Sequence, residues 1–251
     1  MKMHILSGGR LRLRKHIYFP DADRSETLDM PVSSILLRDA RGNVLFDTGC
    51  HPSVVQDAAA RWGGLAKLIV PIMGPDENVI AGLAALGLKP GDIDVVICSH
   101  LHPDHCGCNE FFTKATVMVH ARELEAARAS NASERGYVAA DWDHPVPIEA
   151  LTGERDLYGD GRVVLIPLPG HTPGSLAALI ALERTGRVLL ASDTVSVRAT
   201  LDTGVLPKNT WNADALVKSL AEVRRIEASG ATVICGHDAA QWTTLRKGAD
   251  A

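Results

Sequence analysis

The run from His100 to His105 concentrates side chains that bind metal ions. Three histidines and one aspartate (His100, His102, Asp104 and His105) fall within six residues. His100 and His102 lie on one face of an extended segment, since alternate side chains of a strand point the same way. The turn through Pro103 then allows Asp104 and His105 to face them. Imidazole and carboxylate groups together suit zinc and similar divalent ions, so the run predicts a metal site rather than a chance group of surface histidines.

The elements around this run are predicted to bring further ligands to it. Residues 95–98 form a short apolar, β-branched run, typical of a buried strand, that ends directly before the cluster. His171, Asp193 and His237 each follow a predicted strand within a glycine-containing turn. The resulting five histidines and two aspartates are too many for one tetrahedral ion and enough for two. Asp193 is the natural carboxylate to bridge two cations about 3.5–4 Å apart.

An internal repeat indicates how these strands are arranged. Residues 36–48 resemble residues 182–194, and each segment is predicted as a hairpin followed by an aspartate. Residues 96–100 resemble residues 233–237, and each is predicted as a strand followed by a histidine. The simplest consistent fold is a pair of sheets packed face to face, each covered by helices, with the ligands at one edge where strands end. We therefore expect a single domain over residues 1–251, with similar halves at about 1–120 and 160–251.

Other segments carry local expectations. Residues 1–6 and 11–19 are predicted as short strands interrupted by Gly8-Gly9, and residues 20–30 as a loop. The apolar stretch 65–73 is predicted as a loop or short helix that either packs in the core or lines a hydrophobic pocket. Asn212 is predicted to cap a long amphipathic helix.

The composition limits the classes of function. With 251 residues, 46% of them hydrophobic, and a net charge of -4, the chain is predicted to be one globular domain without the basic surface that nucleic acid requires. No apolar run reaches the length of a membrane span or a signal peptide. The five cysteines are odd in number and follow no disulfide framework, which favours a reducing compartment. We expect a cytoplasmic protein with neither a nucleic acid nor a membrane as partner.

These motifs together resemble those of a known family. The segment from His100 to His105 matches the HxHxDH signature of the metallo-β-lactamase superfamily. With Asp47-Thr48-Gly49 before it, and Gly170-His171, Asp193 and Gly236-His237 after it, the chain resembles the N-acyl-homoserine lactonases of that superfamily. The resemblance covers nearly the whole chain.

The resemblance implies a fold and a set of ligands. The fold would be the αβ/βα four-layer sandwich, an α/β architecture of two mixed sheets with helices outside. Asp47 would orient a ligand from behind the centre. One metal ion would be bound by His100, His102 and His171, the other by Asp104, His105 and His237, with Asp193 bridging them.

The implied activity is quorum quenching by hydrolysis of a small-molecule lactone. Two Zn²⁺ ions, with Fe, Mn or Co as alternatives, would activate a shared hydroxide for attack on the lactone carbonyl. Asp104 would pass the proton to the leaving alkoxide. The oligomeric state is left open between monomer and homodimer. The candidates for an apolar groove that binds the acyl chain are Leu65, Ile69, Ile72 and Met73.

Two positions depart from the lactonase pattern. These lactonases often carry a tyrosine three residues after the bridging aspartate, where this chain has Ser196, and a histidine where it has Ser175. We expect neither change to affect metal binding. Both differences concern the residues that would position the substrate. Ser196 is the candidate substrate contact.

Several alternatives share the signature. Hydrolysis of another lactone, or of a thioester as in glyoxalase II, is the main rival, although this chain continues only briefly after His237. A nuclease, a flavin-linked diiron enzyme, a true β-lactamase and an inactive metal-binding scaffold fit the residues less well. Cys106 and Cys108 are assigned to packing rather than to metal binding.

Overall fold

The computed structural model describes residues 1–245, which form two β-sheets and their covering helices. The strands are β1 (Lys2–Arg14), β2 (Thr27–Asp39), β3 (Gly42–Phe46), β4 (Val70–Pro71), β5 (Val95–Ile97), β6 (Thr116–His120), β7 (Ile148–Leu151), β8 (Arg155–Asp156), β9 (Val163–Pro167), β10 (Leu176–Leu182), β11 (Gly186–Ser192) and β12 (Thr232–Cys235). The helices are α1 (Val54–Trp62), α2 (Val79–Ala85), α3 (Pro103–Cys106), α4 (Ala121–Ala127), α5 (Ala139–Trp142), α6 (Arg198–Thr203), α7 (Ala213–Ala228) and α8 (Ala239–Leu245).

The two sheets pack face to face and carry helices on their outer faces. Their strand orders are β4-β1-β2-β3-β5-β6-β7 and β12-β11-β10-β9-β8. Phe46 and Ile97 of the first sheet belong to the same buried cluster as Leu165 and Ile180 of the second. Helix α2 packs on the outer face of the first sheet and α7 on that of the second. This confirms the predicted four-layer α/β sandwich.

Helix α7 shows how the local pattern produces one outer layer. Its buried residues Leu216, Leu220 and Val223 follow a helical spacing and form one apolar stripe. The Asn212 side chain accepts a hydrogen bond from the N–H of Ala215 at 2.9 Å, which confirms the predicted cap.

The two hairpins of the repeat occupy corresponding places in the two sheets. Strands β2 and β3 pair antiparallel, as do β10 and β11. Each hairpin then pairs in parallel with a strand that ends before a predicted ligand, β3 with β5 and β11 with β12. The division into similar halves within one domain stays a prediction.

The N-terminal prediction was wrong at Gly8-Gly9, where the strand does not break, and beyond Arg14, where the strand ends and residues 15–17 form a 3-10 helix. Residues 2–14 form one continuous strand, and a bulge between Ser7 and Gly9 keeps it paired with β2. Gly8 does not end the strand. It allows the strand to approach the backbone of Gly49 closely, because a Cβ at Gly8 would lie 2.9 Å from the Cα of Gly49. The expected loop over residues 20–30 is shorter, since β2 already begins at Thr27.

None of the helices in residues 1–245 combines the length and apolar character needed to cross a bilayer.

Candidate metal centre

All seven predicted ligands lie at the ends of strands on one edge of the sandwich. Strand β5 leads into helix α3, where the extended residue His102 precedes Pro103 at the first helical position. Proline is favoured there because its missing N–H would have no helical partner. The resulting turn places Asp104 and His105 in the first turn of α3, facing the remaining ligands. Those ligands follow strands of the second sheet: His171 after β9, Asp193 after β11 and His237 after β12.

His100, His102 and His171 form a compact group, here called the first triplet. The Nδ1 atom of His102 lies 3.1 Å from Nε2 of His100 and 3.1 Å from Nε2 of His171. Tetrahedral zinc with Zn–N bonds of about 2.0–2.1 Å separates its ligands by about 3.3 Å. His102 donates from Nε2 to the carbonyl oxygen of Arg135 at 3.0 Å. Its Nδ1 atom then carries no hydrogen and is free to bind a cation.

Asp104, His105 and His237 form the second triplet. The Oδ2 atom of Asp104 lies 3.5 Å from Nε2 of each histidine. His237 donates from Nδ1 to the carbonyl oxygen of Pro31 at 2.9 Å, so its Nε2 atom faces the centre as an acceptor.

Asp193 lies between the two triplets. Its Oδ2 atom is 3.4 Å from Nε2 of His171, and its Oδ1 atom is 3.0 Å from Nε2 of His237. Within residues 1–245, buried Asp193 Oδ1 and His105 Nε2 have no hydrogen-bond partner. Buried polar atoms without partners are costly, and a pair of divalent ions would satisfy both. The donor set therefore fits a dinuclear centre with a bridging carboxylate.

A hydrogen-bond network behind the ligands fixes their orientation. Asp47 accepts from Nδ1 of His105 at 2.8 Å and from the N–H and Oγ of Ser99 at 2.7 Å each. Ser192 donates to Ser99 Oγ at 2.7 Å. Asp47 and Ser192 have positive φ angles of 60° and 46°, a strained conformation for residues with a side chain. The sequence analysis predicted Asp47 and missed both serines, because a serine beside a ligand carries no distinctive signal.

The charges of the site act differently on its ligands. Burial lowers the pKa of His105 and His237, but the neighbouring aspartates outweigh it and raise both pKa values, so an ion that binds there displaces a proton. At His100, His171 and Asp104 the metal-binding forms are favoured. Burial lowers the pKa of His171 to about 3 and also lowers that of His100, so both imidazoles are neutral. Burial opposes ionisation of Asp104, but His105 and His237 outweigh it and lower the pKa of Asp104 to about 2. Neutral histidine and ionised aspartate are the forms that coordinate divalent ions.

A cavity of about 500 Å³ opens onto the ligands. Two of the four candidates for the acyl groove, Leu65 and Ile69, line it beside His102, Asp104, His171 and Asp193. Ile72 and Met73 do not line it. Strand β4 pairs along β1, and the N–H of Ile72 continues this pairing to Arg10, which leads the chain away from the cavity. Met73 is buried in a cluster with Leu11 and Trp62, against which the cavity residues Leu65 and Ile69 pack.

Tyr18 lines the cavity and was not among the residues predicted for the site. Ser196 is buried, does not line the cavity, and is within hydrogen-bond reach of the Tyr18 hydroxyl. Asn209 donates to this hydroxyl oxygen at 3.4 Å. Burial and the charges of Asp193 and Asp104 raise the pKa of Tyr18, so the phenol stays protonated. Tyr18, which is distant in the sequence, thus lies beside Ser196, the position where the lactonase pattern has a tyrosine.

The remaining candidates have structural contacts. Ser175 Oγ accepts from the N–H of Thr172 at 3.0 Å and so stabilises the turn after His171. The buried thiols of Cys106 and Cys108 donate to the backbone carbonyls of His102 and Cys50, respectively. Both cysteines therefore contact backbone rather than the ligand cluster.

Comparisons with known proteins agree with this geometry. Residues 28–237 match the family model of the metallo-beta-lactamase superfamily. The chain is 31% identical over 264 residues to the N-acyl homoserine lactonase AttM of Azorhizobium caulinodans, covering 98% of this chain and 97% of the relative. It is 30% identical over 281 residues to AiiB of Agrobacterium fabrum, also an N-acyl homoserine lactonase, covering 99% and 98%. A solved N-acyl homoserine lactone hydrolase, with its product N-hexanoyl-L-homoserine at the catalytic metal centre, superposes with a TM-score of 0.87 at 25% identity, covering 97% of this chain and 95% of the other.

Proposed function

This chain belongs to the metallo-beta-lactamase superfamily, and we propose that it is a dinuclear-metal hydrolase that opens the lactone ring of N-acyl-L-homoserine lactones. One observation carries the proposal: a complete set of seven ligands lies at the end of a cavity whose walls are largely apolar. Relatives that align over almost the whole chain are N-acyl homoserine lactonases, which supports this substrate class. Opening such lactones would remove a quorum-sensing signal.

Each triplet would hold one ion, with Asp193 shared between them. Zn²⁺ suits a set of imidazole and carboxylate ligands, while Fe, Mn and Co ions accept the same ligands. When bound, the ions would polarise the lactone carbonyl and make water a nucleophile near neutral pH. Asp47, which is hydrogen-bonded to His105, would hold that ligand in its metal-binding orientation.

The side chains of the cavity divide the remaining tasks. Leu65 and Ile69 lie on the apolar wall, where an acyl chain would be withdrawn from water. Asp104 belongs to the second triplet and also lines the cavity. Its carboxylate could therefore accept the proton of the attacking water and pass it to the ring oxygen when the C–O bond breaks. The Tyr18 hydroxyl accepts from Asn209 and keeps its own hydrogen, which makes it the candidate donor to a substrate oxygen.

The cytoplasmic location stays a prediction, based on the cysteine content. The choice between monomer and homodimer stays open.

Hydrolysis measured by proton release tests the proposed function. Metal-loaded protein would be assayed with short- and long-chain acyl-homoserine lactones, S-lactoylglutathione and a simple γ-lactone. We expect turnover of the acyl-homoserine lactones, its loss with a chelator and its recovery with Zn²⁺. Activity confined to the thioester or the plain lactone would contradict the substrate and retain the metal centre. Bound metal without any turnover would favour an inactive scaffold.

Replacing Tyr18 with phenylalanine should lower kcat/KM by about 100-fold, the lower range for losing one preorganised donor in a closed site. The metal content should not change, because no ligand is altered. Tyr158→Phe is the matched control, since Tyr158 packs against Arg41 and does not line the cavity. Equal activities of the two variants would exclude a role for the Tyr18 hydroxyl.

A further inference from the structure

A buried carboxylate connects the two loops that carry the first triplet. Glu123 lies in the first turn of α4 and is 0% exposed. Its Oε1 atom accepts from the N–H of Leu101 at 3.0 Å, and its Oε2 atom accepts from the N–H of Gly174 at 3.0 Å. Leu101 separates two histidines of the first triplet, and Gly174 ends the turn that carries the third. A single side chain is therefore hydrogen-bonded to both loops.

The fit around this carboxylate is close. A Cβ atom on Gly174 would lie 2.5 Å from the backbone nitrogen of Glu123 and 2.6 Å from its Cβ. Only glycine therefore allows the loop to approach the start of α4 so closely. The same loops are also joined by a backbone hydrogen bond from Leu176 to Ser99 at 2.8 Å. Because this second connection is independent of Glu123, we expect the fold to tolerate a change of its side chain.

The charge of Glu123 is not balanced by a protein cation. Within residues 1–245, no Lys, Arg or His side chain forms an ion pair with it, although burying a lone carboxylate is costly. Tyr137, whose ring centroid lies 5.2 Å from that of His102, is close to Glu123. Burial and the charge of Glu123 raise the pKa of Tyr137, so this phenol stays neutral. The remaining negative charge favours a cation at the adjacent first triplet.

We propose that Glu123 is a positioning residue for the first triplet, which holds the two ligand loops at the spacing a metal ion needs and adds a negative charge behind them. It touches neither the ion nor the substrate. The proposal rests on the dinuclear centre of the proposed function. It does not depend on which lactone the protein hydrolyses.

The test compares Glu123→Gln with Glu125→Gln, the same substitution at an exposed position of the same helix. The amide of Glu123→Gln directs a donor at one of the two N–H groups, so one loop loses its connection. We expect the ion at the first triplet to bind about 10- to 100-fold more weakly, as when other residues behind metal ligands are changed. Binding at the second triplet should be unchanged. Co²⁺ titration monitored by its visible absorption measures both affinities without any turnover.

Two ligand variants identify which ion is affected. The spectrum of partly loaded Glu123→Gln should resemble that of His171→Ala, which disrupts the first triplet, and differ from that of His237→Ala. Glu123→Asp, which keeps the charge and shortens the reach, should also weaken the first ion. Wild-type affinities in both Glu123 variants, or equal weakening of both ions, would overturn the proposal. Absence of lactone hydrolysis would overturn the proposed function and leave this metal-binding result intact.

Discussion

Asp193→Asn is expected to reduce kcat by more than about 100-fold. Changing a residue that only orients a metal ligand costs up to about 100-fold, and Asp193 is itself a predicted ligand. The two oxygens of Asp193 face different triplets, with Oδ2 near His171 and Oδ1 near His237. An amide has a single acceptor oxygen and no negative charge, so it cannot serve both ions. The variant should retain one ion per chain where the wild type retains two.

Metal stoichiometry and kcat, measured on the same preparations, test this expectation. Asp202→Asn is the matched control, because Asp202 forms an exposed ion pair with Arg198 away from the centre. Such exposed pairs contribute little to stability. If Asp193→Asn bound two ions with wild-type kcat, the bridging role would be excluded.

Asp104→Asn is expected to lower kcat by about 10²- to 10⁴-fold, the usual contribution of a positioned general acid. The Michaelis constant should change far less, because the apolar wall that would hold the acyl chain is unaltered. An equal loss in kcat and in substrate affinity would contradict the assignment. The metal content of the variant must be measured, because Asp104 also belongs to the second triplet.

A thiolactone analogue separates the proton-transfer role from the ligand role. Breaking the ring C–S bond releases a thiolate, and a thiol has a pKa of about 8.5, so no proton is needed from the enzyme. Breaking the C–O bond releases a far more basic alkoxide, which needs one. At equal metal loading, Asp104→Asn should therefore retain much more activity on the thiolactone than on the lactone. Equal losses on both substrates would assign Asp104 to metal binding alone.

Much of the scaffold follows from local patterns. The apolar stripe and Asn212 cap predict α7, and the run of residues 95–98 predicts β5. The Gly8-Gly9 pair was predicted to interrupt the strand, because glycines are typical of strand ends and of bulges alike. Only the packing of Gly8 against Gly49 shows that the strand continues.

The residues that could bind metal are recognisable in the sequence, because histidine and aspartate after buried strands have a distinctive chemical identity and local position. What surrounds them depends on the tertiary structure. It excluded Ile72 and Met73 from the cavity, and it brought Tyr18 beside Ser196. It also placed Glu123 between two ligand loops. The residues that Glu123 contacts in them, Leu101 and Gly174, are 73 residues apart in the chain. Such contacts depend on how sheets and loops pack over long distances, and no local periodicity records them.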